Sequence, residues 1–405
     1  MTAASDSTSG IEPLSTRRAR LREVALLFLR LGFTAFGGPA AHVAMMEDEV
    51  VARRRWIDRQ YFLDLVAAIN FVPGPNSTEL AIHLGLIRAG RAGLFVAGFC
   101  FIVPAVLIVL PIAWAYCAYG TGPGALPRVA GMMSAIGASV LAIIVAALWR
   151  FAKTGIRDAF TATIAIVVAV IGFLPARYAG YQPELISLAF AAIASAIWYG
   201  RPRPPARAAL LGVATFPWTE DLARMALFFL KVGATLFGSG YVLVSYLKTG
   251  LVDQFGWLTE PQLLDAIAIG QITPGPLLTT ATFAGYVIAH TTFGGGATGG
   301  VVGAVVATAA IFLPSFLFIL VLGPLMQRIR ENRYARGALD AMNAAVVALI
   351  LIVTIRLAGA SFMPGGLLHV GNVLLAAAAL AALLILDVNS TWLVLIAAVV
   401  GWALW

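Results

Sequence analysis

The sequence predicts an all-α polytopic integral membrane protein built from two homologous halves. Three observations lead to this prediction: the composition, the recurrence of apolar runs and an internal match of the chain to itself. Of its 405 residues, 60% are hydrophobic and only 11% are charged, whereas about a quarter of the residues of a soluble domain are charged. The polar side chains are too few to cover a water-exposed globule, so the composition excludes the soluble classes.

Apolar runs occur along nearly the whole chain, and several reach the roughly 20 residues that a helix needs to cross a bilayer. The first six are Val24–Met46, Tyr61–Leu86, Gly93–Tyr119, Val129–Phe151, Ala159–Pro175 and Glu184–Tyr199. The next six are Leu222–Leu247, Gln262–Ala289, Ala297–Met326, Ala338–Leu357, Leu367–Leu386 and Thr391–Trp405. The net charge of +8 comes mostly from arginines between these runs. We interpret those arginines as topology signals and not as a nucleic-acid surface.

A constant offset of 201 residues aligns the first half with the second. It places Phe28 on Phe229 and the Pro-Gly-Pro motif at 73–75 on the one at 274–276 without a gap. Shared composition does not explain a single register of that length. The predicted organisation is a polar N-terminal arm (1–22), an N-terminal transporter repeat (23–200), a Pro- and Arg-rich linker (201–219) and a C-terminal transporter repeat (220–405).

Charge placement predicts that the two halves insert in opposite orientations. In the first half, cations such as Lys153 and Arg157 follow the fourth apolar run; in the second half, cations such as Arg328 and Arg336 follow the third. Lys and Arg favour the cytoplasmic side, so equivalent loops are expected on opposite sides. Inversion requires an odd number of crossings per half. Five spans plus one re-entrant segment in each half give about ten spans in all, an architecture typical of transporters.

The second run of each half is interrupted by Pro-Gly-Pro, which removes backbone donors and breaks helical geometry. Such a break survives in a bilayer only where protein or a wet cavity surrounds it. Asn76 follows the first break, and Glu79 lies three residues later, a spacing typical of a capping box. Two half-helices whose free N–H groups face each other would suit an anion, although packing kinks are the alternative.

These patterns select two groups of candidate residues. Arg30 and Lys231 are equivalent intramembrane cations, which mark functional sites by default, although Arg30 is close enough to the end of its run to reach the interface. The full set predicted to contact substrate is Arg30, Gly37, Gly38, Gly74, Asn76, Ser77, Thr78, Lys231, Gly238, Ser239, Gly275, Thr279, Thr280 and Thr282. The candidates for coupling to protons are His42, Asp64, Glu79 and His83.

Four motifs resemble the paired motifs of the chromate ion transporter (CHR) superfamily, in its long two-domain form. They are FGGPAAHVAMMEDEVV (36–51), VPGPNSTELAIHLG (72–85), FGSGYVLVSYL (237–247) and TPGPLLTTATFAGY (273–286). The resemblance covers both halves, in the right order. It implies a multi-pass transporter of the bacterial inner membrane that exports chromate, draws on the proton-motive force and confers chromate resistance.

Three other functions stay open at this stage. Sulfate has the charge and the tetrahedral shape of chromate, so a carrier for sulfate or another oxyanion is the first alternative, and a passive anion channel is the second. A membrane enzyme is disfavoured because few carboxylates and histidines lie within the apolar runs. The chain contains no GxxxxGK[ST] motif, so we expect secondary transport. We expect no cofactor, metal or nucleic acid, with membrane lipid as a partner; the oligomeric state is left open, a homodimer included.

Overall fold

The structure is a computed structural model that describes residues 14–36, 38–120, 127–173, 183–199, 220–237, 242–323, 333–363, 367–386 and 388–404. Every regular element in these ranges is helical, which confirms the predicted all-α class. The linker (201–219) lies outside the described residues. The first helix begins at Leu14, so the basic residues that precede the first apolar run belong to it.

The described part of each half consists of a series of helices. In the first half they are α1 (Leu14–Thr34), α2 (Gly38–Glu47), α3 (Arg59–Ile69), α4 (Asn76–Ala115), α5 (Pro127–Gly155), α6 (Ala159–Phe173) and α7 (Pro183–Tyr199). In the second half they are α8 (Glu220–Thr235), α9 (Val242–Leu247), α10 (Glu260–Ile272), α11 (Thr280–Val287), α12 (Gly296–Leu322), α13 (Arg333–Phe362), α14 (Val370–Ile385) and α15 (Ser390–Leu404). Wider π-helical turns extend α2, α4, α9 and α11 at their C-terminal ends.

Four segments in the described ranges are long and apolar enough to cross a membrane: Asn76–Tyr119, Gly131–Gly155, Gly296–Leu322 and Arg336–Gly359. Shorter apolar helices accompany them. Large apolar side chains also face outwards; Phe99, Leu107, Val305 and Val321 are each more than half exposed. Exposed apolar faces on this scale are unfavourable in water and suit a lipid environment.

The helix α4 folds back on itself. Ala89 and Gly90 have non-helical dihedral angles, and Gly90 has a φ of 64°. A Cβ atom at Gly85 would lie 2.3 Å from the carbonyl oxygen of Gly93, across the turn. A short arm (76–88) therefore packs antiparallel against a long arm (91–115), and small residues let the two backbones approach closely.

The second half repeats this hairpin with α11 and α12. A Cβ atom at Gly285 would lie 2.6 Å from the carbonyl oxygen of Gly303, and Gly300 lies against the ring of Tyr286. The connecting turn contains Gly294 and Gly296, both with positive φ. In each half, therefore, the Pro-Gly-Pro break leads into a short helix that reverses into a long apolar one.

The two halves exchange helices. The first-half helix α5 packs against α14 and α15 of the second half, while the second-half helix α13 packs against α6 and α7 of the first. Swapping the halves turns one set of contacts into the other, as in a two-fold arrangement. Each half thus supplies part of the scaffold around the other.

Equivalent helices run in opposite directions. Gly323, at the end of α12, lies beside His83 and Leu86, near the turn at which the long arm of α4 begins. Arg157, just beyond α5, forms an ion pair at 3.5 Å with Asp340, near the start of α13. The pairs α4/α12 and α5/α13 are therefore antiparallel.

Candidate functional site

The four breaks of the chain meet in two pairs. The amide of Gly74, in the first Pro-Gly-Pro motif, donates a 2.7 Å hydrogen bond to the carbonyl of Leu236. The amide of Gly275, in the second, donates a 3.0 Å bond to the carbonyl of Ala35. Both bonds join a Pro-Gly-Pro break of one half to the break after the first helix of the other, and the offset of 201 residues interchanges them. We call these two junctions together the break crossing.

Backbone geometry at the break crossing requires glycine. Gly74 has a φ of 144° and Gly275 a φ of 95°, conformations that side chains disfavour. A Cβ atom at Gly74 would lie 2.1 Å from Oε1 of Glu79 and 2.7 Å from Oγ of Ser315; one at Gly275 would lie 2.9 Å from Cβ of Ala105. The offset of 210 residues that aligns Pro104 with Pro314 also aligns Ala105 with Ser315. The contacts of Gly74 with Ser315 and of Gly275 with Ala105 are thus equivalent by the two-fold relation, but only those of Gly74 involve polar side chains.

The polar residues after the first break do not make the hydrogen bonds predicted from the sequence. The capping box predicted for Asn76 and Glu79 is wrong, because Pro75 occupies the N-cap position and no side chain caps α4. Asn76 instead donates a 2.7 Å hydrogen bond to the side chain of Asn70. Thr78 and Glu79 are fully buried, and neither the Thr78 hydroxyl nor either carboxylate oxygen has a hydrogen-bond partner. Ser77 is buried beside them.

The threonines after the second break are buried as well, but their hydroxyls already have partners. Thr279 bonds to the carbonyl of Pro276, and Thr280 bonds to the carbonyl of Leu277. The Thr282 hydroxyl lies 2.7 Å from that of Thr308. These hydroxyls stabilise the start of α11 and its packing on α12. Buried polar atoms without a partner therefore occur beside both breaks, in Thr78 and Glu79 after the first and in Gln271 before the second.

The two candidate cations have different surroundings. Arg30 forms an ion pair with Glu49, and its side chain is 49% exposed. Arg53 and Arg54 contact the same carboxylate. Lys231 lies over the ring of Phe228, 5.5 Å from its centroid. Among the matched glycine-motif residues, Gly38 starts α2, whereas Gly37, Gly238 and Ser239 lie outside the described residues.

Both candidate histidines are buried. Nε2 of His42 lies 3.0 Å from the carbonyl oxygen of Ala35, the same carbonyl that accepts from Gly275. His83 lies one turn beyond Glu79 on α4, and its Nδ1 has no partner. In the described parts of the chain, no three His, Cys, Asp or Glu side chains cluster closely enough to hold a metal ion.

A cleft of about 660 Å³ opens on one side of the protein and reaches the first Pro-Gly-Pro break at Asn76, the residue directly after it. It lies between α3, the start of α4, the end of α5 and the start of α13. Its polar lining residues are Asp64, Asn70, Asn76, Thr154, Arg157, Arg336, Asp340 and Asn343. Amide, hydroxyl and guanidinium groups together supply the donors that an oxyanion requires. Asp64, a coupling candidate, therefore lies on the wall of this cleft.

The equivalent face of the second half is closed. The helix α10 packs against α5, α13 and α15, whereas the equivalent helix α3 packs on α2 and α4 and borders the cleft. Ala268 is fully buried, while its counterpart Ala67 is exposed. The Tyr116 hydroxyl donates a 2.7 Å hydrogen bond to the carboxylate of Asp265, the counterpart of Asp64. The protein is thus open beside α3 and closed beside α10.

Several residues of this site do not emerge from sequence reasoning. Ser315 follows the matched proline in an otherwise apolar run, whereas the first half has Ala105 at the equivalent position. This polar difference between the halves is a weak signal in the sequence. Asn70, just before the break, offers a similar signal. Arg336 and Asn343 belong to a helix that meets the first half only in three dimensions, so no local pattern identifies them.

The comparisons with known proteins agree with this architecture. The sequence profile described as "Chromate transporter" matches residues 22–213 and again residues 223–402. The chain belongs to the chromate transporter family. The two matched segments correspond to the two halves described above, and together they account for most of the sequence. No solved structure matches the chain.

Named relatives of this chromate transporter family member align over most of their length. The chain is 30% identical to the chromate transport protein of Cupriavidus metallidurans, over 85% of this chain and 84% of that protein. It is 32% identical to the chromate transport protein of Pseudomonas aeruginosa, over 82% and 79%, and 28% identical to a probable chromate transport protein of Synechococcus elongatus, over 86% and 87%. With the apolar helices, these matches identify a multi-pass membrane protein of a transporter family.

Proposed function

We propose that the protein is a secondary transporter that exports chromate from the cytoplasm across the bacterial inner membrane. The transport family supports the general activity, and the relatives named above are chromate transport proteins. We propose further that repeats 23–200 and 220–405, joined by the linker 201–219, insert as inverted repeats with about ten spans. Antiparallel packing of equivalent helices supports this orientation, because two antiparallel spans cross a bilayer in opposite senses.

Alternating access is the mechanism that we propose, and one observation carries it. The cleft beside α3 reaches Asn76, next to the first break, whereas the equivalent face beside α10 is closed around Asp265. Exchanging the conformations of the two halves would close the first face and open the second, which is the motion expected of inverted repeats. The substrate would lie at the break crossing, with Asn76, Thr78 and the glycine backbones in contact with it and the remaining predicted residues around them.

The proton-motive force supplies a sufficient drive for export through its electrical component. An inside-negative potential favours the outward movement of an anion. A dianion that crosses 100 mV gains about 4.6 kcal/mol, at about 2.3 kcal/mol per charge, which corresponds to a gradient of roughly 10³-fold. Energised export of a dianion therefore requires no nucleotide-binding domain.

Chromate uptake by everted membrane vesicles tests the proposal. Energised vesicles with the protein are expected to accumulate chromate, and sulfate is expected to compete weakly. Vesicles preloaded with unlabelled chromate should then take up labelled chromate transiently, a counterflow that a carrier produces and a passive channel does not. Accumulation of sulfate in place of chromate would replace the substrate, and no accumulation of either anion would refute the transporter assignment.

A further inference from the structure

The strongest unexplained feature of the molecule is the carboxyl group of Glu79. It is fully buried, and neither of its oxygens has a hydrogen-bond partner. It flanks Gly74 at the centre of the break crossing, and the Ser315 hydroxyl of the other half faces it there, likewise without a partner of its own. Asn76, three residues earlier on the same helix, lines the cleft. The group therefore lies directly behind the surface at which an oxyanion would arrive.

The described elements around α4 bring no cation to this carboxyl group. The helix α12 contains no titratable residue, and α11 contributes only Tyr286. The charged residues of α1, α2 and α3 that have ion-pair partners nearby are Glu23 (with Arg54 and Arg88), Arg30 (with Glu49) and Glu47 (with Arg59). The other titratable groups of these elements and of α4 with its π-helical turn are Arg17, Arg18, Arg20, Arg22, His42, Tyr61, Asp64, His83, Arg91, Cys100, Tyr116, Cys117 and Tyr119.

An ionised carboxylate that faces no cation and only one neutral hydroxyl, that of Ser315, is strongly disfavoured in such an interior. A second anion in contact with it would disfavour it further, because like charges repel most where the dielectric constant is low. The neutral acid removes both problems, and its hydroxyl becomes a hydrogen-bond donor. That donor could point at an oxygen atom of the bound anion.

We propose that Glu79 binds a proton whenever the oxyanion is bound, and that the two cross the membrane together. This inference rests on the proposed transport function. The two-fold equivalent of Glu79 is Thr280, so the break crossing has one such carboxyl group and the stoichiometry is one proton per oxyanion. A chromate dianion then moves one net negative charge instead of two, so 100 mV supplies about 2.3 kcal/mol instead of about 4.6 kcal/mol for an uncoupled dianion. Outward movement of the proton also runs against a pH gradient that is acidic outside.

Purified protein in proteoliposomes tests the stoichiometry. The membrane potential is held at zero with equal potassium on both sides and valinomycin, and a pH gradient of one unit is imposed. Both pH values lie above the range in which chromate itself takes up a proton. One proton per dianion then gives a tenfold accumulation of chromate on the alkaline side. At equilibrium the chromate concentration multiplied by the proton concentration has the same value on both sides of the membrane.

The decisive variant is Glu79→Gln, which keeps the shape of the neutral acid. It is expected to lose the tenfold accumulation, giving a ratio of one, and its counterflow is measured alongside to show that the variant still carries chromate. The matched control Glu220→Gln removes an exposed carboxylate that is paired with Arg224, and it should retain the full tenfold effect. If Glu79→Gln fails to assemble, Glu79→Thr replaces it, because threonine is the residue of the second half at this position.

The outcomes separate this inference from the function on which it rests. Counterflow by the wild-type protein without accumulation along the pH gradient overturns the proton inference and leaves transport intact. Tenfold accumulation by the Glu79 variants also overturns it, since another group, such as a buried histidine, then carries the proton. Absence of counterflow in the wild-type protein overturns the proposed function itself.

Discussion

The hydrogen bond between Tyr116 and Asp265 offers a direct test of alternating access. Tyr116→Phe removes only the donor, because the edge contact of the ring with Phe283 is retained. Asp265 is 7% exposed, so its carboxyl group then loses the tyrosine donor while still buried. In the opposite conformation Asp265 would take the half-buried position of Asp64, whose carboxylate accepts from the side chain of Gln60 and does not depend on a tyrosine. The substitution therefore destabilises only the conformation described here.

The magnitude follows from the burial. Leaving a buried acceptor without its donor costs about 1–3 kcal/mol. The population of the opposite conformation, relative to this one, is then expected to rise by about 5- to 150-fold. Tyr119→Phe is the matched control, because that hydroxyl belongs to a 54% exposed side chain of the same π-helical turn. Tyr119→Phe is expected to leave the distribution unchanged.

Membrane-impermeant thiol reagents measure this distribution. Single cysteines are introduced as Ala67→Cys, in the exposed wall of the cleft, and as Ala268→Cys, at its buried counterpart. The native Cys100 and Cys117 are first replaced, since both are partly exposed. In the Tyr116→Phe background, labelling should rise at position 268 and fall at position 67. Unchanged labelling at 268, or a parallel rise at both positions, would refute the reasoning.

Two further predictions concern the stability of the purified protein, measured by thermal unfolding. Gly74→Ala is expected to destabilise by about 2–5 kcal/mol through a strained φ and the clash with Glu79. Gly90→Ala has open space around it and should cost about 1–3 kcal/mol through its dihedral angles alone; a larger loss at Gly90 than at Gly74 would contradict this account. Lys248→Glu is expected to cost about 3–5 kcal/mol, because its 5% exposed ammonium group is paired with two carboxylates. The residue equivalent to Lys248 in the first half is Glu47, whose ion pair with Arg59 is largely exposed, so Glu47→Lys should cost about 1 kcal/mol or less. A larger loss from Glu47→Lys than from Lys248→Glu would contradict the role of burial.

Much of the fold follows from the sequence because its signals are local. The all-α membrane class follows from composition and run length, and the interruptions of the helices follow from proline and glycine. The offset of 201 residues identified which breaks are equivalent. It did not reveal that Gly74 bonds to Leu236 and Gly275 to Ala35, because contacts between residues about 160 and 240 positions apart depend on how the halves dock.

The candidate site was less predictable for the same reason. Arg30 is an intramembrane cation by position, but the reversal between α1 and α2 brings Glu49 next to it, and no spacing rule anticipates that pair. Asn76 and Glu79 have the spacing of a capping box, but the chain enters α4 through Pro75, and the carboxyl group faces the protein interior. Local propensity predicted the break, and tertiary packing determined what each side chain does there.

The departures from two-fold symmetry are where function is expected to reside. A perfectly duplicated carrier would have two conformations of equal energy, so neither face would be preferred. Here the hydrogen-bonded pair of Tyr116 and Asp265 closes one face, whereas the sequence places Met326, which has no hydroxyl, at the position equivalent to Tyr116. A single hydrogen bond of this kind lowers the energy of one conformation relative to the other. Substrate or a proton can then change the populations of the two conformations only if it binds one of them more tightly than the other. The carboxyl group of Glu79, which has no counterpart in the second half, is placed to create that difference in affinity.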